Sequence, residues 1–335
     1  MNRGTRVAFG LLPALACTGC VGWQSVLDPH GSPALGLDLL MKFIMIVCAV
    51  VWVLVVAMLF VALARRTPRA EPLMLGRRTQ DRMRIAVAGS VAATVVVISV
   101  FTLASYAATR MLSVVSDDEL MIRVRGFQWW WDVTYLAATP KESFRTANEI
   151  HIPINRTVRI QLEAADVIHS FWVPSLAGKQ DLIPGRNNDV RFSAARAGTY
   201  RGQCAEFCGL QHARMAMIVV AHEPDSFEAW RQSQLKSATE PVKTEEQAGR
   251  ELFVAKACSA CHTVRGTAAA GATGPDLTHV GSRRTIAAGV FETTRGSLAA
   301  WIADPQTIKP GNNMPMVPLT ADELHAVSAY MAGLK

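Results

Sequence analysis

Charge is scarce in this chain. Asp, Glu, Lys and Arg make up 18% of its 335 residues, and two stretches have none: the 22 residues Phe43 to Ala64 and the 25 residues Ile85 to Thr109. Each exceeds the ~20 apolar residues that cross a hydrocarbon core. Both are apolar on all faces, which argues against a helix buried in a soluble protein. A broad basic face is also missing. The net charge of +7 comes mainly from residues 65–84, where seven arginines stand against Glu71 and Asp81. The regions 116–240 and 241–335 are close to neutral. Basicity confined to one short loop excludes nucleic acid as a natural partner. Lying between the two apolar runs, that loop marks the cytoplasmic side of a membrane hairpin. Everything from about residue 112 onward is then outside.

The N-terminus reads as a secretory leader, residues 1–19, with Arg3 and Arg6 before the apolar run Val7 to Ala16. It closes on Ala16-Cys17-Thr18-Gly19-Cys20. A small residue before a cysteine, after an apolar core, resembles a bacterial lipoprotein cleavage site, with Cys20 as the lipidated residue.

Helical periodicity is missing from residues 118–220. Short β-rich runs take its place: Leu120–Val124, Val158–Leu162, Asp189–Phe192 and Met217–Ala221. Apolar and polar residues alternate within them, as in half-buried strands. Pro153, Asn155, Pro174, Pro184-Gly185 and Gly198 punctuate them. Several short strands so spaced predict a sandwich or barrel. The tract Gln128-Trp129-Trp130-Trp131 stands out, with its tryptophans serving as core, interface or electron path.

The richest chemistry lies in Cys204-Ala205-Glu206-Phe207-Cys208-Gly209-Leu210-Gln211-His212-Ala213-Arg214-Met215. Thiolate and thioether are soft ligands and imidazole is intermediate, so the mixture suits copper or zinc better than a hard cation. A disulfide would leave His212 and Met215 idle, and Met is a poor zinc ligand. A mononuclear blue-copper site uses one Cys. The second Cys suggests two metal atoms. His169, 35 residues before Cys204, is the natural second imidazole.

Ile168-His169-Ser170-Phe171-Trp172-Val173-Pro174-Ser175-Leu176, Pro184-Gly185-Arg186 and Gly202-Gln203-Cys204-Ala205-Glu206-Phe207-Cys208-Gly209 together resemble subunit II of cytochrome c oxidase, over residues 20–232. The resemblance implies a two-helix membrane hairpin followed by an exported cupredoxin-like barrel with the binuclear copper A centre. It implies that Cys204 and Cys208 bridge both coppers, that His169 and His212 ligate one each, and that Met215 and the backbone carbonyl of Glu206 are weak ligands. It further implies that the Glu206 side chain turns toward a magnesium at the subunit I interface, and that electrons enter at Trp129. One departure stands out. Family members often carry a glutamate for proton uptake at the start of the second helix, where this chain has Arg84, so no residue here is assigned to a proton channel.

Beyond Trp230 the composition turns polar, and residues 233–246 read as a linker. Ala257-Cys258-Ser259-Ala260-Cys261-His262 then carries the Cys-x-x-Cys-His signature of c-type haem attachment. No second Cys pair follows and no βαβ pattern surrounds it, which removes a four-thiolate zinc site and a thioredoxin-like fold. Gly274-Pro275-Asp276-Leu277 and Lys309-Pro310-Gly311-Asn312-Asn313-Met314-Pro315 resemble loops of class I cytochromes c. Met314, 52 residues after His262, is the expected second axial ligand, with Met316 its rival. His/Met ligation suits an electron carrier. Thr320 caps a final amphipathic helix with Leu324, Val327, Tyr330 and Met331 on one face. His279 and His325 read as surface residues. The remaining cysteines fall to the leader (Cys17) and the first membrane helix (Cys48), which leaves no pair for a structural disulfide.

The expected architecture is multi-domain: leader 1–19, transmembrane hairpin 36–110, all-β cupredoxin-like copper A domain 116–232, linker 233–246 and all-α cytochrome c domain 247–335. The expected function is subunit II of a haem–copper terminal oxidase in a bacterial cell membrane, multi-pass, with both soluble domains on the periplasmic side. Electrons would pass from an external donor through haem c and copper A to subunit I, where oxygen is reduced and protons are pumped. Expected partners are subunit I, subunit III, the lipid membrane and an upstream cytochrome or quinol–cytochrome c reductase complex as donor. Two alternatives stand beside this: a membrane-anchored copper-binding or delivery protein, which would not need a His/Met haem, and a quinol-oxidase type of subunit II, which would lack the copper ligands.

Overall fold

The computed structural model of the protein describes residues 21–65, 76–111 and 118–335. The leader, the lipidation candidate Cys20 and the centre of the arginine-rich loop lie outside the described residues.

Helices α1 (Ser32–Ala64) and α2 (Arg77–Met111) contain the two uncharged runs. Helix α1 starts eleven residues before its run, because Pro33 fits the first helical turn. Within those extra turns Asp38 and Lys42 neutralise each other one turn apart, at 2.6 Å. The helices touch through an edge-to-face contact of Phe43 and Phe101. The apolar window of each is otherwise bare of protein cover. Such a surface suits lipid or a neighbouring subunit.

The next unit is two five-stranded sheets packed face to face. The first runs β3 (Phe144–Ala147), β2 (Trp130–Leu136), β1 (Leu120–Phe127), β5 (Val158–Ala164), β8 (Asn188–Phe192). The second runs β4 (Glu149–Pro153), β10 (Ala216–His222), β9 (Gly198–Cys204), β6 (His169–Trp172), β7 (Gln180–Leu182). Alternation dictates the faces. In β1, Leu120, Ile122, Val124 and Gly126 point inward, while Arg123 and Arg125 point out. The tryptophan tract, for which periodicity gave no strand, forms the turn into β2. There Trp131 is fully buried and meets Phe171 edge-on. Strand register brings the chemistry to one end of the second sheet, because Phe171 pairs with Cys204 and Gln203 with Ala216.

Helix α3 (Pro224–Leu235) continues past the expected start of the linker, and α4 (Thr244–Ala255) begins inside it. The segment between is strapped to the C-terminal unit. Ala238 N–H donates to the Arg265 carbonyl, and the Lys236 carbonyl meets His279 Nε2 at 3.2 Å. That strap corrects one expectation: His279 is buried, not a surface residue. His325 is exposed as expected. The C-terminal unit is helical, with α4, α5 (Arg295–Ala303), the one-turn α6 (Pro305–Ile308) and α7 (Ala321–Gly333). A two-residue-per-strand hairpin, β11 (Thr285–Ile286) and β12 (Phe291–Glu292), is added to them. Thr320 and Glu323 form a reciprocal capping box at the start of α7. Val327, Tyr330 and Met331 join Phe253, Val264 and Leu298 in a second core.

Helices α4 and α7 cross at Gly249, where an added Cβ would lie 2.1 Å from the Ala326 carbonyl oxygen. That neighbour is backbone and cannot rotate away. Gly249→Ala is therefore expected to destabilise the C-terminal unit by ~1–3 kcal/mol, the range of an overpacked core. Thermal unfolding followed at the haem band checks it, and an unchanged midpoint would mean that the helices separate freely here.

Candidate metal and haem sites

The end of β6, the end of β9 and the loop that returns into β10 converge on one buried cluster. Cys204 is the last residue of β9, and its Sγ lies 3.7 Å from Cys208 Sγ. The sulfurs are too far apart for the ~2.05 Å of a disulfide bond, and both are free. Each thiol faces its own imidazole: Cys204 Sγ is 4.0 Å from His169 Nδ1, and Cys208 Sγ is 3.6 Å from His212 Nδ1. Met215 Sδ lies 3.8 Å from Cys208 Sγ, and the Glu206 carbonyl oxygen lies 3.3 Å from Cys204 Sγ. Donor atoms of His169, Cys204 and Cys208 all fall within 4.8 Å of one another. The structure thus brings together all six groups that the sequence singled out. Both thiols are 2% exposed, and His169 and Met215 are fully covered.

The electrostatics follow from crowding two thiols. Cys204 ionises first. It is pulled down to about 3 chiefly by the hydrogen bond from the Cys208 thiol, with His169 adding to it against the cost of burial. Cys208 is pushed up by that same hydrogen bond and by burial. Burial alone would lower His169, but hydrogen bonds to Cys204 and Asp166 outweigh it and leave it raised. In sum, soft sulfur and imidazole nitrogen converge at a site where the thiols, His169 and Met215 are buried and His212 is half-buried. This donor set fits copper or zinc and is too poor in oxygen for magnesium or calcium.

A ring of neighbours holds the cluster. Asp166 Oδ1 is 2.8 Å from His169 Nε2, which orients the ring so that Nδ1 faces Cys204. The same carboxylate accepts the Gln128 and Val167 N–H groups. The Cys208 carbonyl accepts both the Gln128 amide and the Trp129 indole N–H, each at 2.8 Å. Gly209 permits that approach: its φ is +109°, and a Cβ would come within 3.1 Å of the Trp129 ring. Sequence reasoning singled out Trp129 but missed Asp166 and Gln128. Asp166 had one usable signal, a carboxylate three residues before a candidate ligand, whereas Gln128 had none. The Glu206 side chain turns away from the cluster toward Lys179 Nζ, at 3.4 Å.

In the C-terminal unit, His262 Nδ1 is 2.8 Å from the Pro275 carbonyl, leaving Nε2 as the free ring atom. Burial lowers its pKa, which favours the neutral ring that a ligand needs. Gly274 lies so close that a Cβ would sit 2.7 Å from the His262 ring. Cys258 is half-buried and Cys261 exposed. Met314 is half-buried, with Gln306 and Asn312 bonded to its backbone, while Met316 is 58% exposed.

Residues 135–222 match the family described as the periplasmic domain of cytochrome c oxidase subunit II, and residues 246–335 match the cytochrome c family. Cytochrome c oxidase subunit 2 of Alkalihalophilus pseudofirmus is 33% identical over 330 residues, covering 96% of this chain and 94% of that protein. The same subunit of Bacillus subtilis is 33% identical over 231 residues, covering 66% and 64%. Among solved structures, the periplasmic domain of cytochrome oxidase subunit II of Bradyrhizobium japonicum is 33% identical, with a TM-score of 0.34, and covers 36% of this chain and 96% of that one.

Asp166→Asn is expected to weaken metal affinity ~10–100-fold, the usual effect of losing a partner that orients a ligand. Glu206→Gln should leave it within a few-fold, because the group facing the cluster is a backbone carbonyl. Copper titration of the metal-free protein compares the two, and equal losses would contradict this division of roles.

Proposed function

The chain belongs to the cytochrome c oxidase subunit II family, and from that membership we propose which of its residues hold each redox group. It is a membrane-anchored electron-transfer subunit with a cytochrome c domain at its C-terminal end, and it works in assembly with the oxygen-reducing subunit I. Cys204 and Cys208 would hold both atoms of copper A, His169 and His212 one each, with Met215 and the Glu206 carbonyl completing the set. Cys258 and Cys261 would anchor the haem, and His262 and Met314 would hold its iron. When bound, these two groups supply one-electron couples.

The observation that carries the reading is the pairing of each buried thiol with its own imidazole, at 4.0 and 3.6 Å, inside a cage that covers both thiols, His169 and Met215 and half-covers His212. Such a cage leaves no open position for a substrate, unlike a catalytic metal site. Its donors are fixed from outside by Asp166, Gln128 and Trp129, so they need not rearrange when charge arrives. The Trp129 indole, bonded to the Cys208 carbonyl and 6% exposed, is the residue through which electrons would enter the copper cluster. In the other domain, the Pro275 carbonyl holds the His262 ring by Nδ1 and frees Nε2 for iron. Burial favours Met314 over the exposed Met316.

The chain would take electrons from a cytochrome or a quinol–cytochrome c reductase complex and deliver them to subunit I, with subunit III as a further neighbour. Arginines at both ends of the helix–helix connection, Arg65 and Arg77-Arg78, support a cytoplasmic turn and two domains on the outer side of a bacterial membrane. The Glu206 carboxylate would join a magnesium only with further oxygen ligands from subunit I, since Lys179 is its partner within this chain.

Two sets of variants test the assignment. In the purified oxidase, Cys204→Ser should abolish the near-infrared band of mixed-valence copper and block delivery to subunit I, while haem c remains reducible. Met314→Ala should lower the haem midpoint potential, and Met316→Ala should leave it unchanged. Intact delivery in Cys204→Ser, or the reverse order of the methionines, would refute the corresponding assignment.

A further inference from the structure

The two soluble domains meet at a lysine. Lys309 is 2% exposed and lies five residues before Met314, on the same loop. Its Nζ reaches three backbone carbonyls: Trp129 at 2.7 Å, Arg214 at 3.0 Å and Ala287 at 3.2 Å. An ammonium has three N–H donors and no acceptor, so the count is complete. The acceptors come from three places. Trp129 lies in the turn between β1 and β2, Arg214 lies between His212 and Met215, and Ala287 lies in the β11–β12 hairpin of the lysine's own domain. Two of the three therefore belong to the other domain.

Further contacts surround it. Gln211 Nε2 donates to the Pro310 carbonyl at 2.9 Å, and the Arg214 guanidinium donates to the Ile308 carbonyl. The Ala216 N–H donates to the Ala288 carbonyl at 3.0 Å, and the Arg284 N–H donates to Glu149 Oε2 at 2.7 Å. Gly311 brings its backbone against the ring of Trp129, where a Cβ would find Cη2 at 3.6 Å. Thus the loop carrying Met314 lies on the tryptophan whose indole is bonded to the Cys208 carbonyl.

Among the described residues no carboxylate pairs with Lys309, and a buried ammonium without one is costly unless polar groups satisfy it fully. Burial pushes Lys309 down to about 7, which reflects that cost. Its satisfaction inside the closed interface depends on register. Only this docked arrangement supplies the Trp129 and Arg214 carbonyls beside Ala287, and any other closed register would bury the ammonium short of acceptors, whereas in the parted domains water takes their place.

We propose that Lys309 is a positioning residue that latches the cytochrome c domain onto the copper loop, so that electrons cross between the two domains in one fixed docked geometry rather than after a diffusive swing. This rests on the copper and haem assignments proposed above. It adds that the tether between the domains is not the device that sets the encounter, since a specific ammonium–carbonyl contact does so.

The test uses the assembled oxidase with both redox groups loaded, and compares wild type with Lys309→Met, a side chain of similar length without donors. Hydrogen exchange reads the Ala216 and Arg284 amides, both of which donate across the interface. They should be protected in wild type and exchange roughly tenfold faster or more in Lys309→Met, as expected for loss of a buried hydrogen-bonded charge. Electron injection into haem c then gives the rate of arrival at copper as solvent viscosity is raised. Wild type should be insensitive to viscosity, and Lys309→Met should become slower and viscosity-dependent. Equal exchange and equal rates in the two proteins would overturn the proposal. If Lys309→Met does not assemble, wild type decides alone: unprotected amides or a viscosity-dependent rate would overturn the latch, and protection with a flat rate would support it. The haem and near-infrared copper bands report separately on the assignments. Their absence in wild type would sink those and not the docking contact, which exchange still reads.

Discussion

Two buried thiols held 3.7 Å apart cannot both carry charge unless a cation lies with them. The second thiolate is opposed by the first and by burial at once. The rest of the copper domain can be understood as the structure that enforces this unfavourable proximity. The end of β9 fixes Cys204, the tight return into β10 fixes Cys208, His212 and Met215, and β6 supplies His169 from the neighbouring strand. Behind them stand groups that never touch the sulfurs. Asp166 orients one imidazole, and Gln128 and Trp129 hold the Cys208 carbonyl. Donors held in place from outside suit electron transfer, since little has to move when the charge changes.

The same rigidity extends to the junction with the C-terminal domain. Arg214 and Ala216, which flank Met215, bond across to Ile308 and Ala288, and Gln211, next to His212, bonds to Pro310. The loop that carries the candidate metal ligands is therefore also the loop that receives the second domain. Glu149 and Arg284 close a further contact away from the metal. Even the stretch that composition marks as a linker is held by Arg265 and His279 along part of its length. Lys309 is buried at the centre of these contacts.

Tryptophan gives a compact view of how context divides one residue type. Trp131 points inward from β2 and fills the core against Phe171. Trp130, its neighbour on the opposite face, stacks on Phe127. Trp129, at the turn, uses its indole N–H on the Cys208 carbonyl and its ring edge on the Met314 loop. Strand alternation assigns the first two roles, and the turn leaves the third side chain free for the metal loop.

The sequence by itself determined whatever depends on residue type and short spacing. Uncharged length decided the membrane helices, period-two alternation decided β1, β5 and β8, and soft donors within twelve residues pointed to the metal class; β10, expected to alternate, is instead an unbroken apolar run buried on both faces. Cys-x-x-Cys-His decided the covalent attachment signature. These features are local, so they survive being read along a line. Only the tertiary structure decided which residues support the site from far away in the chain. Gln128 meets Cys208 across 80 residues and Lys309 meets Trp129 across 180. His279 is buried because a strap from residue 236 passes over it. A lysine in a Lys-Pro-Gly loop looks like a solvated turn residue in sequence, because nothing in its neighbours announces three carbonyls from three segments. Burial and hydrogen-bond satisfaction are properties of the assembled chain, and no local pattern encodes them.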